Sequence, residues 1–110
     1  MPIARDRPRA TEELRQRGPE YEEAAVIITT NFETVGLLVY KKVAKFNLVI
    51  ELCGGMNLSM YRKLKPWLKT VREEQNQPSW GEWFEWLALK AEAQKPTRKL
   101  LYTEIENRNP

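Results

Sequence analysis

Trp80, Trp83, Phe84 and Trp86 crowd four large aromatic side chains into one short stretch of a chain that is otherwise rich in charge. No other feature constrains the fold as much. On a helix advancing about 100° per residue, Trp80, Trp83, Phe84, Leu87 and Ala91 share one face, Glu82 and Glu85 point away from it, and Trp86 lies at its boundary. A face this apolar must be covered, so the rest of the chain has to supply surfaces that pack on it. The pattern is that of a packing helix and not of a catalytic site.

The elements on either side read as helices too. Residues 1–18 hold Pro2, Pro8, several arginines and Gly18, and read as a flexible arm with one helical turn over 11–17 at most. Pro19 suits the first turn of a helix. From 20 to 45, Ala24, Ile28, Phe32, Val35, Val39 and Val43 recur at three- and four-residue steps, predicting a long amphipathic helix. Thr30 and Glu33 have the spacing of a capping box, so two consecutive helices could replace the single one. Asn47 is a good N-cap for a short helix that Gly54 and Gly55 would end in a sharp turn.

A further helix is expected from about 57 or 59 to 74. It carries Met60, Tyr61, Leu64, Trp67, Leu68 and Val71 on one face, basic residues on the other, and Pro66 inside as a bend. Ser79 and Glu82 form a second capping box that would open the tryptophan helix, which should end near Pro96. Leu100, Leu101 and Ile105 suggest a short tail helix in 96–110 that docks on its own core or on a neighbouring chain. No internal repeat is present, and the best strand candidate, 37–40, lies within a better helical pattern. The expected fold is all-α: a bundle of four or five helices over residues 19–95, with a long N-terminal helix and a short glycine-terminated one.

A chain of 110 residues fits one domain with a modest core. Each fully buried large apolar side chain contributes roughly 1.5–3 kcal/mol, so the margin over chain entropy is thin and self-association is expected. The net charge of +3 hides an acidic cluster at Glu20, Glu22 and Glu23 and a basic one at Arg62, Lys63, Lys65, Lys69 and Arg72. The absence of histidine removes the commonest general base at neutral pH and the commonest zinc ligand. Cys53 is the only cysteine, so no intramolecular disulfide can form. The N-terminus lacks the apolar core of a secretory signal, and the run 24–28 falls far short of the roughly 20 residues of a membrane span. The expected location is the cytoplasm.

Three segments together resemble a bacterial family of unknown function, the domain-of-unknown-function family numbered 4760. They are Asn31-Phe32-Glu33-Thr34-Val35-Gly36-Leu37-Leu38-Val39, then residues 48–55 with their paired glycines, and Phe84-Glu85-Trp86-Leu87-Ala88. Leu64-Lys65-Pro66-Trp67 and Arg72 fall between them in fitting order, and the resemblance spans about 31–88. Members of the family commonly carry a membrane-spanning segment ahead of this region, where this chain has a charged arm. The resemblance implies a helical fold and brings no reaction, ligand or catalytic residue with it.

The residues offer little chemistry. Cys53 before two glycines could be a thiol nucleophile near Lys41 or Lys45, yet after Leu48, Val49, Ile50 and Leu52 it reads more simply as a small apolar residue. Glu73 with Glu74 and Glu82 with Glu85 lack the spacing of a metal loop and read as solvated helix faces. No catalytic, cofactor-binding or metal residue is assigned. Arg62, Lys65, Lys69 and Arg72, with Arg5, Arg7 and Arg9, form a candidate face for nucleic acid or another polyanion. Trp67, Trp86, Leu100 and Leu101 are candidate interface anchors, because tryptophan concentrates binding energy and a small core cannot enclose every large side chain. The expected function is a non-enzymatic domain that acts through protein contacts or as a homo-oligomer, with polyanion binding as the alternative.

Overall fold

The apolar positions counted above fall on helices that the computed structural model describes over residues 11–94. These are α1 (11–16), α2 (Pro19–Tyr40), α3 (Phe46–Glu74) and α4 (Glu82–Gln94), with no strand among the described residues. The all-α bundle is therefore the fold. Helix α4 packs against both α2 and α3, which touch one another less. It lies between them because its apolar residues face both ways. Phe84, Leu87 and Ala88 are fully buried. Phe84 stacks on Phe32 of α2 at 5.5 Å and meets Tyr61 of α3 edge-on at 5.7 Å. Leu87 and Ala91 join Val39, Val49 and Ile50 at the other end of the core.

Helix α2 runs without a break through Thr29 and Thr30. Thr29 Oγ1 donates to the Ala25 carbonyl at 2.8 Å and Thr34 Oγ1 to that of Thr30 at 3.0 Å, so these hydroxyls bond back onto their own helix instead of capping a new one. The helix stops at Tyr40, earlier than the expected 45. Lys42 takes a left-handed conformation, φ 63°, and the N–H groups of Val43 and Ala44 both donate to the Leu38 carbonyl. Val43 thus leaves the apolar face assigned to it and stands in an exposed turn.

The expected turn at Gly54 and Gly55 does not exist. Helix α3 is continuous for 29 residues, neither glycine has a positive φ, and the two helices expected on either side of them are one. Lys45, not Asn47, occupies the N-cap. Two interior glycines cost about 1 kcal/mol each relative to alanine. Against this, Val49, Ile50, Leu58, Tyr61, Leu64, Trp67 and Leu68 form an unbroken buried side across the glycines, and a turn would divide it. Pro66 lies inside the helix as expected.

The start of α4 is held from a distance. Its N-cap, Gly81, has φ 76°, and one carboxylate oxygen of Glu33 on α2 accepts from the backbone N–H groups of Trp83 at 2.8 Å and Phe84 at 2.9 Å. The two capping boxes expected from spacing are thereby replaced by a single tertiary cap. Ser79 contributes its carbonyl, which accepts from Glu82 N–H at 3.1 Å, and Trp80 sits in the turn ahead of the helix. Gly36 makes this approach possible, since a Cβ there would stand 2.3 Å from the Trp83 carbonyl oxygen. Residues 11–17, assigned to the arm, pack on the bundle. Thr11 is buried with its hydroxyl donating to Thr70 at 3.0 Å, and Arg15 bridges Glu22 and Glu74. Residues 1–10 and 95–110, with the expected tail helix and the arginines at 5, 7 and 9, lie outside the described residues.

One polar group sits in this core without a partner. Asn57 is fully buried, and neither its Oδ1 nor its Nδ2 is hydrogen-bonded.

Two consequences can be measured by urea unfolding followed by circular dichroism. Glu33→Ala should lower stability by about 1–2 kcal/mol by uncapping α4, and Glu33→Gln, which keeps an acceptor, by less. An unchanged midpoint in Glu33→Ala would show that the cap carries no energy. Asn57→Leu should raise the midpoint, because it removes a desolvation penalty of about 1–3 kcal/mol at nearly constant volume. A lower midpoint would mean that the amide is satisfied in solution.

Candidate functional site

The end of α2, the connecting turn, the start of α3 and the end of α4 enclose an open groove of about 880 Å³, lined among others by Tyr40, Lys42, Lys45, Leu48, Trp86 and Lys90. The tryptophan helix builds one wall and the early stop of α2 the other. Tyr40 stacks at a tilt on Trp83 at 4.4 Å and meets Trp86 edge-on at 5.6 Å, so the three rings form one half-exposed cluster. The ammonium of Lys90 lies 5.9 Å from the centre of the Trp86 ring. Trp86 stands half-buried in this wall.

Trp67 occupies a different place from the one expected of an interface anchor. It is 2 % exposed, packs edge-on against Trp80, and donates its ring N–H to Glu22 at 2.9 Å. Its burial follows from phase, because it shares the α3 face of Leu64 and Leu68 that meets α4. Leu100 and Leu101 lie outside the described residues.

The basic face of α3 is divided. Arg72 is largely buried, with Nε donating to the Trp80 carbonyl at 2.6 Å and Nη1 paired with Glu85 at 3.0 Å, so it ties the end of α3 to the start of α4. Arg62 pairs with Glu92 of α4 at 2.5 Å. Lys65 and Lys69 stay exposed. The four residues therefore do not form one free cationic row. Nothing in the local sequence distinguishes Arg72 from its neighbours, because its partners come from another element.

The bare face of α3 was missed by sequence reading because it is apolar on the side away from the core. Leu48, Leu52 and Met56 recur every fourth residue and are 54 %, 74 % and 64 % exposed. Gly55 sits among them, and a Cβ there would meet nothing. The expected turn at the glycines hid this stripe. Without a break the stripe is continuous, and the four-residue recurrence was its available signal. On the outer side of α2, Ile27 and Leu38 are also partly exposed.

Cys53 is half-buried, its thiol donates to the Val49 carbonyl at 3.4 Å, and burial raises its pKa, which suits a packing residue more than a nucleophile. Among the described residues, no group of three histidine, cysteine or acidic side chains could hold a metal ion. No described helix is long and apolar enough to cross a membrane.

The fold and these surfaces define a small all-α helical domain. The family model described as Domain of unknown function (DUF4760) matches residues 4–91, most of the chain, and the chain belongs to that family. The match takes in α1, which the sequence alone assigns to an arm. No curated protein and no solved structure matches the chain. Two of the segments that carry the resemblance are the two sides of one contact: Phe32, Glu33 and Gly36 lie on α2, opposite Trp83 and Phe84 at the start of α4.

The charge cluster predicts how stability responds to acid. Arg15 holds the Glu22 carboxyl below its ordinary value of 4.5, aided by the Trp67 N–H, and does the same for Glu74. A depressed carboxylate pKa stabilises the fold above the ordinary value, and that contribution is lost as pH falls through the lower folded-state value. Arg15→Ala should therefore flatten the acid limb of the stability curve. It should cost about 1 kcal/mol or less at neutral pH, since these pairs are solvent-screened. Urea midpoints at neutral pH and well below 4.5 provide the check, and parallel losses in wild type and variant would disprove it.

Proposed function

We propose that this domain works through protein contacts and not as an enzyme, and that it assembles as a homo-oligomer through the outer face of α3. The observation that carries the reading is the stripe Leu48, Leu52 and Met56 around Gly55, because each of the three side chains is more than half exposed on a continuous helix. An exposed glycine in a helix interior sacrifices stability, and here it leaves room for another helix to approach closely. Ser59, four residues on, keeps the same line narrow.

A second copy of the same face is the occupant that charge favours. Glu51 and Arg62 are eleven residues apart and so share one edge of α3 at opposite ends of the stripe. Two α3 helices crossing antiparallel near Met56 would set Glu51 of each copy opposite Arg62 of the other, twice by symmetry. Arg62 is half exposed and can take this second carboxylate beside Glu92 of its own chain. The contact would also cover the apolar surface that a core of this size leaves outside. Polyanion binding is the weaker reading, because Arg62 and Arg72 already pair within the chain and only Lys65 and Lys69 of the four residues stay unengaged by an acid. The single thiol suits a reducing compartment such as the cytoplasm.

Sedimentation equilibrium tests the reading. The wild-type chain should form a dimer, and Leu52→Glu with Met56→Glu should convert it to a monomer of unchanged helical content. A strictly monomeric wild type at the highest attainable concentration would overturn the proposal, as would a double variant that dimerises equally well.

A further inference from the structure

The groove beside Trp86 has a selective chemistry of its own. Tyr40, Phe46 and Trp86 give it an aromatic wall, Lys42, Lys45 and Lys90 edge it, and no aspartate or glutamate lies among its lining residues. None of these lysines pairs with a carboxylate among the described residues. Helix α3 starts in the same wall with no side-chain cap and no acid in its first turn, so the positive end of its dipole adds to the field of the lysines. The volume of about 880 Å³ lies in the range of sites that take a small organic ligand.

Lys42 holds its place on the rim at a cost. Its φ of 63° is a left-handed conformation that glycine adopts freely and a lysine only against the crowding of its Cβ. The turn needs that conformation, because the N–H groups of Val43 and Ala44 both reach back to the Leu38 carbonyl. It does not need the side chain. A lysine here puts a cation on the edge of the groove at a position where the backbone alone would favour glycine.

We infer that the groove binds a small amphipathic organic anion, an apolar body headed by a carboxylate or sulfonate. The body covers the rings of Tyr40, Phe46 and Trp86, and the head lies among Lys42, Lys45 and Lys90. Burying aromatic area supplies the affinity, and charge sets the selectivity, since the same lysines repel a cation of equal size. A concave site suits a dissolved molecule, whereas a membrane surface would bridge the opening and leave the aromatic wall uncovered. Leu48 borders both this groove and the α3 stripe. The groove uses neither Leu52 nor Met56, so either proposal can fail without the other.

Calorimetric titration of the full chain with anilinonaphthalene sulfonate, and with dodecanoate below its micelle concentration, tests the inference. A single molecule of anion should bind each chain, and dodecyltrimethylammonium should bind about tenfold or more weakly. Lys42→Gly should weaken anion binding about two- to fivefold without lowering the urea midpoint, because it removes a charge and relieves the backbone. Adding Lys45→Glu and Lys90→Glu should bring the loss to about tenfold or more, with helical content retained in circular dichroism. The chain with Leu52→Glu and Met56→Glu should bind as the wild type does. The inference is overturned if neither anion binds, if the cation binds equally well, or if Lys42→Gly or the triple variant keeps wild-type affinity. Loss of binding with Leu52→Glu and Met56→Glu would place the ligand on the stripe and overturn it too. So would retention of the chain on phosphatidylglycerol vesicles without binding of either dissolved anion, which would make the lysines a membrane contact.

Discussion

The bundle depends on one carboxylate. Glu33 takes the first free N–H groups of α4, and it can do so because Gly36, one turn further along α2, lets the two backbones come together. A helix N-terminus carries positive partial charge and unpaired donors, so an anion placed there supplies both pairing and electrostatic attraction. The same approach seats Phe84 on Phe32 and brings Trp83 to Tyr40. The phase of α4 is set by this contact, and the phase decides which of its aromatic rings enter the core and which form the wall of the groove.

The other strong polar contacts close the opposite seams. Arg72 joins the end of α3 to the turn before α4 and to Glu85, while Arg15 draws Glu22 and Glu74 to one point and thereby fastens α1 to α2 and α3. Glu22 also accepts from Trp67, so a charged cluster at the surface reaches a ring in the core. These arginines and glutamates have the composition of a solvated surface, yet they are spent on holding helices together. What remains for other molecules is the apolar stripe of α3 and the lysine-edged groove.

Local periodicity located the helices well where one face alone was apolar. The spacing of Ala24, Ile28, Phe32, Val35, Val39 and Val43 predicted α2, although Ala25 and not Ala24 is the buried residue and Val43 falls outside the helix, and Phe84, Leu87 and Ala91 predicted the buried side of α4. It failed where a local signal competed with burial. Gly54 and Gly55 are strong helix terminators in isolation, and Thr30–Glu33 and Ser79–Glu82 have capping spacing, but each was overruled by a contact from a distant part of the chain. Trp67 and Trp86 are the same residue type at similar helical positions, and only the packing of α4 buries one and leaves the other in a groove.

The sequence by itself determined the helical class, the identity of the main core face and the absence of histidine-based chemistry, because those follow from residue type and from spacing within a single helix. Tertiary structure decided that α3 is continuous, that Glu33 caps a helix fifty residues away, that Arg72 is a structural tie, and that Leu48, Leu52 and Met56 stand in the open. Each of these depends on which surfaces meet. A free-energy difference between burying a long continuous face and satisfying a local turn or cap is a property of the assembled bundle and of no single segment.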